Sequence, residues 1–150
     1  MKTKNEILGH FREIQLKFPR LYTRILAQAD LTLPQFALLS QLAARDRMPM
    51  TEISGKLFIS KPAVTNLVDR LEKKNYIKRL PCPEDRRVYL IQILPKGKKI
   101  IQRIRTFFLK LIIRTLGQFS RKEQLLIGRF YGTLSRGMDG LLMQACKRTK

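Results

Sequence analysis

Apolar positions recur with a helical period almost from the start of the chain. Ile7, Leu8, Phe11 and Ile14, then Leu21, Tyr22, Ile25 and Leu26, fall on one side of a helix. Pro19 lies between the two sets. It has no N–H to donate and its ring clashes with the carbonyl four residues back, so it is expected to kink this helix or split it. Thr32 and Gln35 have capping-box spacing with Pro34 in the first turn, and Phe36, Leu38, Leu39, Leu42 and Ala43 extend a second helix to about Ala44. Residues 45–49 read as a connector. Thr51 can cap a short third helix that holds Ile53 and Leu57. Ser60 can cap a fourth, on which Val64, Leu67, Val68 and Leu71 recur at i, i+3, i+4 and i+7 and so share one buried side. Asn75 suits the left-handed backbone at which such a helix stops.

The period then changes. Residues 77–80 and 88–93 read as two strands, joined by a basic loop over 81–87 into a long hairpin. Pro95 starts a long helix striped by Ile100, Ile104, Phe107, Phe108, Leu111 and Ile112. Ser120 and Glu123 have capping-box spacing again, and open a last helix with Leu126, Phe130, Leu134, Leu141 and Leu142. Gly128, Gly132, Gly137 and Gly140 make that helix less rigid. The expected fold is mainly α with a small β wing. Residues 31–94 form a winged helix-turn-helix lobe, flanked within a single 150-residue domain by long helices over 1–30 and 95–150. Those flanking stripes hold more apolar surface than the small lobe can cover, and a two-fold homodimer is the commonest way to cover it.

Charge narrows the partner. Lys and Arg number 31 against 11 Asp and Glu, a net of +20, which calls for a polyanion such as nucleic acid or an acidic membrane surface. The excess is mostly C-terminal: residues 91–150 carry 14 basic and 2 acidic residues, residues 51–90 only 9 and 5. Total charge alone would therefore point a DNA argument at the wrong half of the chain. Hydrophobic residues make up 44%, too many for wholesale disorder. No run of about 18 apolar residues is present, so no membrane span is expected, and the charged start shows no secretory signal. Two cysteines, Cys82 and Cys146, cannot make a disulfide framework and fit a reduced cytoplasmic protein. His10 is the sole histidine. With no Ser/His/Asp set, Gly-rich phosphate loop or metal-ligand cluster, no catalytic residue, metal or cofactor is expected.

The candidate chemistry sits on the fourth helix, over 60–74. At 100° per residue, its outer side presents Pro62, Asn66, Asp69 and Lys73, flanked by Thr65 and Arg70. Recognition helices read bases chiefly with their N-terminal residues, which selects Lys61, Pro62, Thr65 and Asn66 just after Ser60. Asn pairs bidentately with adenine, Lys donates to guanine, and the Thr methyl packs on thymine. Arg70 and Lys73 fall where phosphate contacts are expected. Asp69 would repel phosphate unless it pairs with Arg70 or Lys73 or orients the wing. In the hairpin loop, Arg86 and Arg87 suit a minor groove, and Asp85 can hold a neighbouring guanidinium.

Leu31-Thr32-Leu33-Pro34-Gln35-Phe36, Met50-Thr51-Glu52-Ile53, the run from Ser60 through Lys61-Pro62-Ala63-Val64-Thr65-Asn66 to Lys74, Tyr76-Ile77-Lys78-Arg79, Asp85-Arg86-Arg87 and Lys96-Gly97 occur in an order and spacing that resembles the MarR family of transcriptional regulators. The resemblance covers nearly the whole chain, and its Asp-x-Arg wing motif maps to Asp85 and Arg87. It implies an obligate homodimer joined through the N- and C-terminal helices, with two lobes on a pseudo-palindromic double-stranded DNA operator. It also implies regulation by a small-molecule effector, commonly an anionic phenolic, held between the dimer helices and the DNA-binding lobe. The expected function is a sequence-specific, dimeric DNA-binding regulator, a repressor released by such a ligand. The alternatives are a non-specific architectural or RNA-binding basic protein, and a regulator whose basic C-terminal helix faces an acidic partner. Departures from the pattern are Phe58 and Asn75 at usual glycines, Ser54 at a usual alanine, Leu94 at a usual threonine, and Pro19 in the first helix.

Overall fold

The computed structural model describes residues 2–85 and 88–148, with side chains over 3–85 and 88–141. Arg86, Arg87 and the side chains of Leu142 and Cys146 fall outside the described residues. The chain runs α1 (Lys2–Gln28), α2 (Leu33–Arg45), β1 (Arg47–Pro49), α3 (Met50–Leu57), α4 (Lys61–Lys73), β2 (Ile77–Pro81), β3 (Tyr89–Ile93), α5 (Pro95–Leu116) and α6 (Arg121–Arg148). It is mostly helical with a small antiparallel sheet, as the period of its apolar residues predicts. The residues group into two compact units, Met1–Thr106 and Phe107–Lys150.

In the first unit, local sequence explains where the helices begin and end. The side chain of Gln35 accepts from the Thr32 N–H at 3.0 Å, which is one arm of the expected capping box and satisfies a polar group that is only 3% exposed. Ser60 Oγ accepts from the Ala63 N–H at 3.4 Å at the start of α4. At its end Asn75 takes φ 57°, and the Tyr76 N–H closes back on the Leu71 carbonyl at 3.0 Å. Leu38, Leu39 and Leu42 of α2, Ile53 of α3 and Val64, Val68 and Leu71 of α4 are fully buried. Met48, Ile77, Ile91 and Ile93 from the sheet close the core. Leu67, expected on the same side as Val64, is only half-buried.

Three sequence expectations need correction. Residues 45–49 are not a plain connector, because β1 lies among them and makes the sheet three-stranded in the order β1-β3-β2, with Met48 opposite Ile91. Three residues are too few to show a period of two, and Pro49 is tolerated because β1 is an edge strand. Thr51 does not cap α3. That helix starts at Met50 with Pro49 in the cap position and no side-chain cap bond, since the chain passes from β1 directly into the helix. Of the two outcomes expected at Pro19, a kink or a split, the split does not occur, because α1 continues through it. One missing donor leaves the hydrogen bonds on either side to carry the helix.

The turn between α3 and α4 is unusual. Phe58 closes α3 with φ 53° and ψ 41°, left-handed backbone that a residue with a Cβ enters at a cost. Ser54 holds this turn from two sides. Its carbonyl accepts from Phe58 and from Ile59, the latter at 3.3 Å, and its hydroxyl donates to the Ile59 carbonyl at 2.6 Å. The two departures from the family pattern thus act together.

The second unit has its own reciprocal cap. The Ser120 N–H donates to the Glu123 carboxylate at 2.8 Å and the Glu123 N–H to Ser120 Oγ at 3.4 Å. The bonds from Ser120 hold the Glu123 carboxyl below its ordinary pKa. Beyond that cap, Leu125, Leu126, Phe130, Tyr131, Met138 and Leu141 are exposed. In the first unit Ile7, Leu8, Phe11, Ile14, Leu16 and Phe18 of α1 are exposed as well.

Gly97 is needed for the junction of α5 with the hairpin. A Cβ there would lie 2.3 Å from the Tyr76 carbonyl oxygen and 2.9 Å from Ile93 Cγ1. That carbonyl already accepts from the Leu94 N–H at 2.9 Å, so backbone rather than a flexible side chain must move. Gly97→Ala is expected to destabilise by about 1–3 kcal/mol, the usual cost of overpacking. Urea unfolding should show a lower midpoint at an unchanged m-value.

Candidate nucleic-acid interface

The buried stripe of α4 decides which residues it presents. Val64, Val68 and Leu71 are sealed against the neighbouring helices α2 and α3 and against β2. Lys61, Pro62, Thr65, Asn66, Arg70 and Lys73 are exposed on the other side, with Ser60 exposed at the cap. The structure therefore brings together the α4 residues that the sequence singled out. Thr65 donates its hydroxyl proton to the Lys61 carbonyl at 3.2 Å, one turn back along the helix.

Of the two arrangements expected for Asp69, the one directed at the wing is found, and pairing with Arg70 or Lys73 is not. Asp69 pairs with Arg79, which comes from β2. The same guanidinium pairs with Glu72, and the Arg79 N–H donates to the other Glu72 oxygen at 3.0 Å. Burial works against the charged guanidinium, yet the hydrogen bonds and charges of Asp69 and Glu72 outweigh it and hold its pKa above the ordinary value. The consequence is electrostatic. Both carboxylates of α4 are held from the hairpin side by one cation, which halves their combined charge, while Lys61, Arg70 and Lys73 make no ion pair among the described residues. Sequence reasoning gave Arg79 no role. A signal was present: it shares the inward side of β2 with buried Ile77, and Asp69 and Glu72 are three residues apart, hence neighbours on α4.

The wing is partly described. The Cys82 N–H donates to the Val88 carbonyl and the Val88 N–H to the Asp85 carbonyl, both at 2.9 Å. Asp85 is exposed at its tip, and Arg86 and Arg87 lie outside the described residues. Cys82 is a half-buried free thiol.

A cleft of about 490 Å³ opens where the end of α1, the start of α2 and the end of α4 meet. It is lined by Ala27, Asp30, Leu31, Thr32, Gln35, Arg70, Lys73 and Lys74. Lys74 Nζ lies 2.8 Å from the Asp30 carboxylate, and both residues line the cleft. Two α4 cations, Arg70 and Lys73, thus belong both to the exposed side of the helix and to the cleft wall. Among the described residues no group of three His, Cys, Asp or Glu side chains could hold a metal ion. No helix among them is long and apolar enough to cross a membrane.

Comparison with known proteins agrees with this geometry. Residues 31–89, from the start of α2 to the return strand of the hairpin, match the sequence model of the MarR family. The multiple antibiotic resistance protein MarR of Salmonella typhimurium is 33% identical over 101 residues, covering 65% of this chain and 70% of that protein. The chain belongs to the MarR family. It is accordingly a DNA-binding transcriptional regulator of winged-helix fold rather than an enzyme. An uncharacterised HTH-type transcriptional regulator of Bacillus subtilis, YsmB, is 40% identical over 82 residues, and the match spans 56% of that protein's length. The solved structure of a MarR family protein from Bacillus stearothermophilus superposes with a TM-score of 0.78 at 26% identity, over 92% of this chain and 96% of that one.

For a MarR-family lobe, the Arg79 bridge has a measurable role. Arg79→Met would leave two carboxylates beside the outer side of α4 without their cation. The expected loss of stability is about 1 kcal/mol or less, because both carboxylates are partly exposed and water can replace much of what the guanidinium supplies. Affinity for any duplex should fall, because phosphate would then meet Asp69 and Glu72. Urea unfolding and duplex binding on the same variant check both.

Proposed function

We propose that the protein is a cytoplasmic, dimeric repressor that reads a pseudo-palindromic double-stranded DNA operator through α4 and is released by a small anionic ligand. The observation that carries the reading is the exposed set Lys61, Pro62, Thr65 and Asn66 at the start of α4, on a helix whose carboxylates are both bound by Arg79. In this reading Asn66 pairs with adenine, Lys61 donates to guanine, and Thr65 and Pro62 offer apolar surface to thymine. Ser60, Arg70 and Lys73 meet the phosphate backbone, and Asp85, Arg86 and Arg87 of the wing enter the flanking minor groove. A homodimer is supported by the exposed apolar side chains of α1 and of α6, which a second copy would cover. Release by an anion is supported by the cleft: a carboxylate or phenolate held there by Arg70 and Lys73 would compete with phosphate for the same cations.

A non-specific architectural or RNA-binding role is the second reading, favoured by the 14 basic and 2 acidic residues over 91–150. Such a protein would bind with a steep salt dependence and little sequence preference. Selection from a random duplex pool at physiological salt separates the two. We expect recovery of a palindromic motif. Asn66→Ala should weaken binding to the recovered duplex by about 1–3 kcal/mol and change binding to random duplex little. Equal losses on both would contradict base reading and favour the second role.

A further inference from the structure

The turn before α4 holds a residue that this reading leaves unused. Phe58 adopts φ 53° and ψ 41°, where glycine would sit without penalty, and it is 71% exposed. Left-handed backbone is unfavourable for a bulky side chain, and so is an aromatic ring left in water. The turn is not a loose one in which such a residue has drifted outward. Ser54 fixes it through its carbonyl and its hydroxyl. Phe58 is thus held in an unfavourable conformation with its ring outside, and packing within the described residues does little to offset either cost.

Its position says what the ring meets. Phe58 stands two residues before Ser60 and three before Lys61, at the end of α4 that the proposed function places in the major groove. Lys56, two residues earlier, is exposed and pairs with Glu52 at only 3.8 Å, and Lys61 makes no ion pair among the described residues. An exposed ring flanked in sequence by two cations, just before the reading helix, fits DNA better than it fits an apolar protein surface. The apolar feature that the major groove offers is the thymine 5-methyl group.

We infer that Phe58 is a DNA-contacting, specificity-determining residue, whose ring packs on a thymine methyl beside the bases read by α4. The inference rests on the proposed reading of α4 and adds a thymine preference to it. Ser54 is then a positioning residue, which fixes the backbone that carries the ring.

The test uses the full chain and the duplex recovered by selection. In that duplex each thymine is replaced in turn by deoxyuridine, which removes the methyl and leaves every hydrogen-bonding group in place. One replacement at the edge of a half-site is expected to weaken the unmodified protein several-fold. Phe58→Gly is expected to bind the recovered duplex roughly 5–30-fold more weakly, to bind random duplex within about twofold, and to lose its response to that deoxyuridine. Its thermal midpoint should equal or exceed that of the parent, because glycine accepts φ 53°. Phe58→Leu should retain most of the affinity.

Three results would overturn the assignment: no deoxyuridine position affecting the unmodified protein, Phe58→Gly binding the recovered duplex within twofold of the parent, or the same deoxyuridine loss in both proteins. An unchanged Phe58→Gly alongside a weakened Asn66→Ala removes Phe58 alone. If neither variant discriminates recovered from random duplex, the reading of α4 falls with it.

Discussion

Burial of Val64, Val68 and Leu71 along one side of α4 fixes what this protein can show to anything outside it. With 100° between successive side chains, sealing those three leaves little rotational freedom. Each fully buried aliphatic side chain is worth about 1.5–3 kcal/mol against exposure. A partly exposed ion pair contributes about 1 kcal/mol or less. The apolar stripe therefore sets the rotation of the helix, and the Arg79 bridge only refines it. Turning α4 by one residue would bury Thr65 and expose Val64, at a cost that no polar contact on the outer side could offset.

Charge acts on top of that geometry. The chain is strongly basic, yet the helix that carries the candidate base contacts holds two carboxylates of its own. The fold resolves this by bringing Arg79 up from β2, ten residues beyond Asp69, to occupy both. Local potential is thus set by pairing, whereas the cations of residues 91–150 contribute a broad field. Such a field raises the rate and the salt sensitivity of association with a polyanion without reading its sequence.

Much of this was legible in the sequence where the determinants are local. The period of α4, its Ser60 cap and the left-handed Asn75 are readable within a window of about 15 residues, as is the reciprocal Ser120–Glu123 cap. What escaped depends on distant or weak signals. Strand β1 is three residues long and ends in proline, so its pairing with β3 leaves no pattern along the chain. The start of α3 at Met50 follows from that pairing and not from Thr51. Pro19 carries a strong local prohibition that a long helix absorbs. A wing-directed role for Asp69 was readable, but Arg79 as its partner was not, because that residue lies on another element. Ser54 and Phe58 each stand out as a departure, but only the backbone angle and the Ser54–Ile59 hydrogen bond show that they belong to one device.

In the proposed function α4, turned outward by its buried stripe, meets DNA twice over in a two-fold assembly. Hydroxyl-radical footprinting of the full chain on its selected duplex tests this most directly. Two protected patches are expected on one side of the duplex, centred about one helical turn (~10 bp) apart, with flanking minor-groove protection. Uniform protection along the duplex, or a single patch without a symmetry mate, would contradict it.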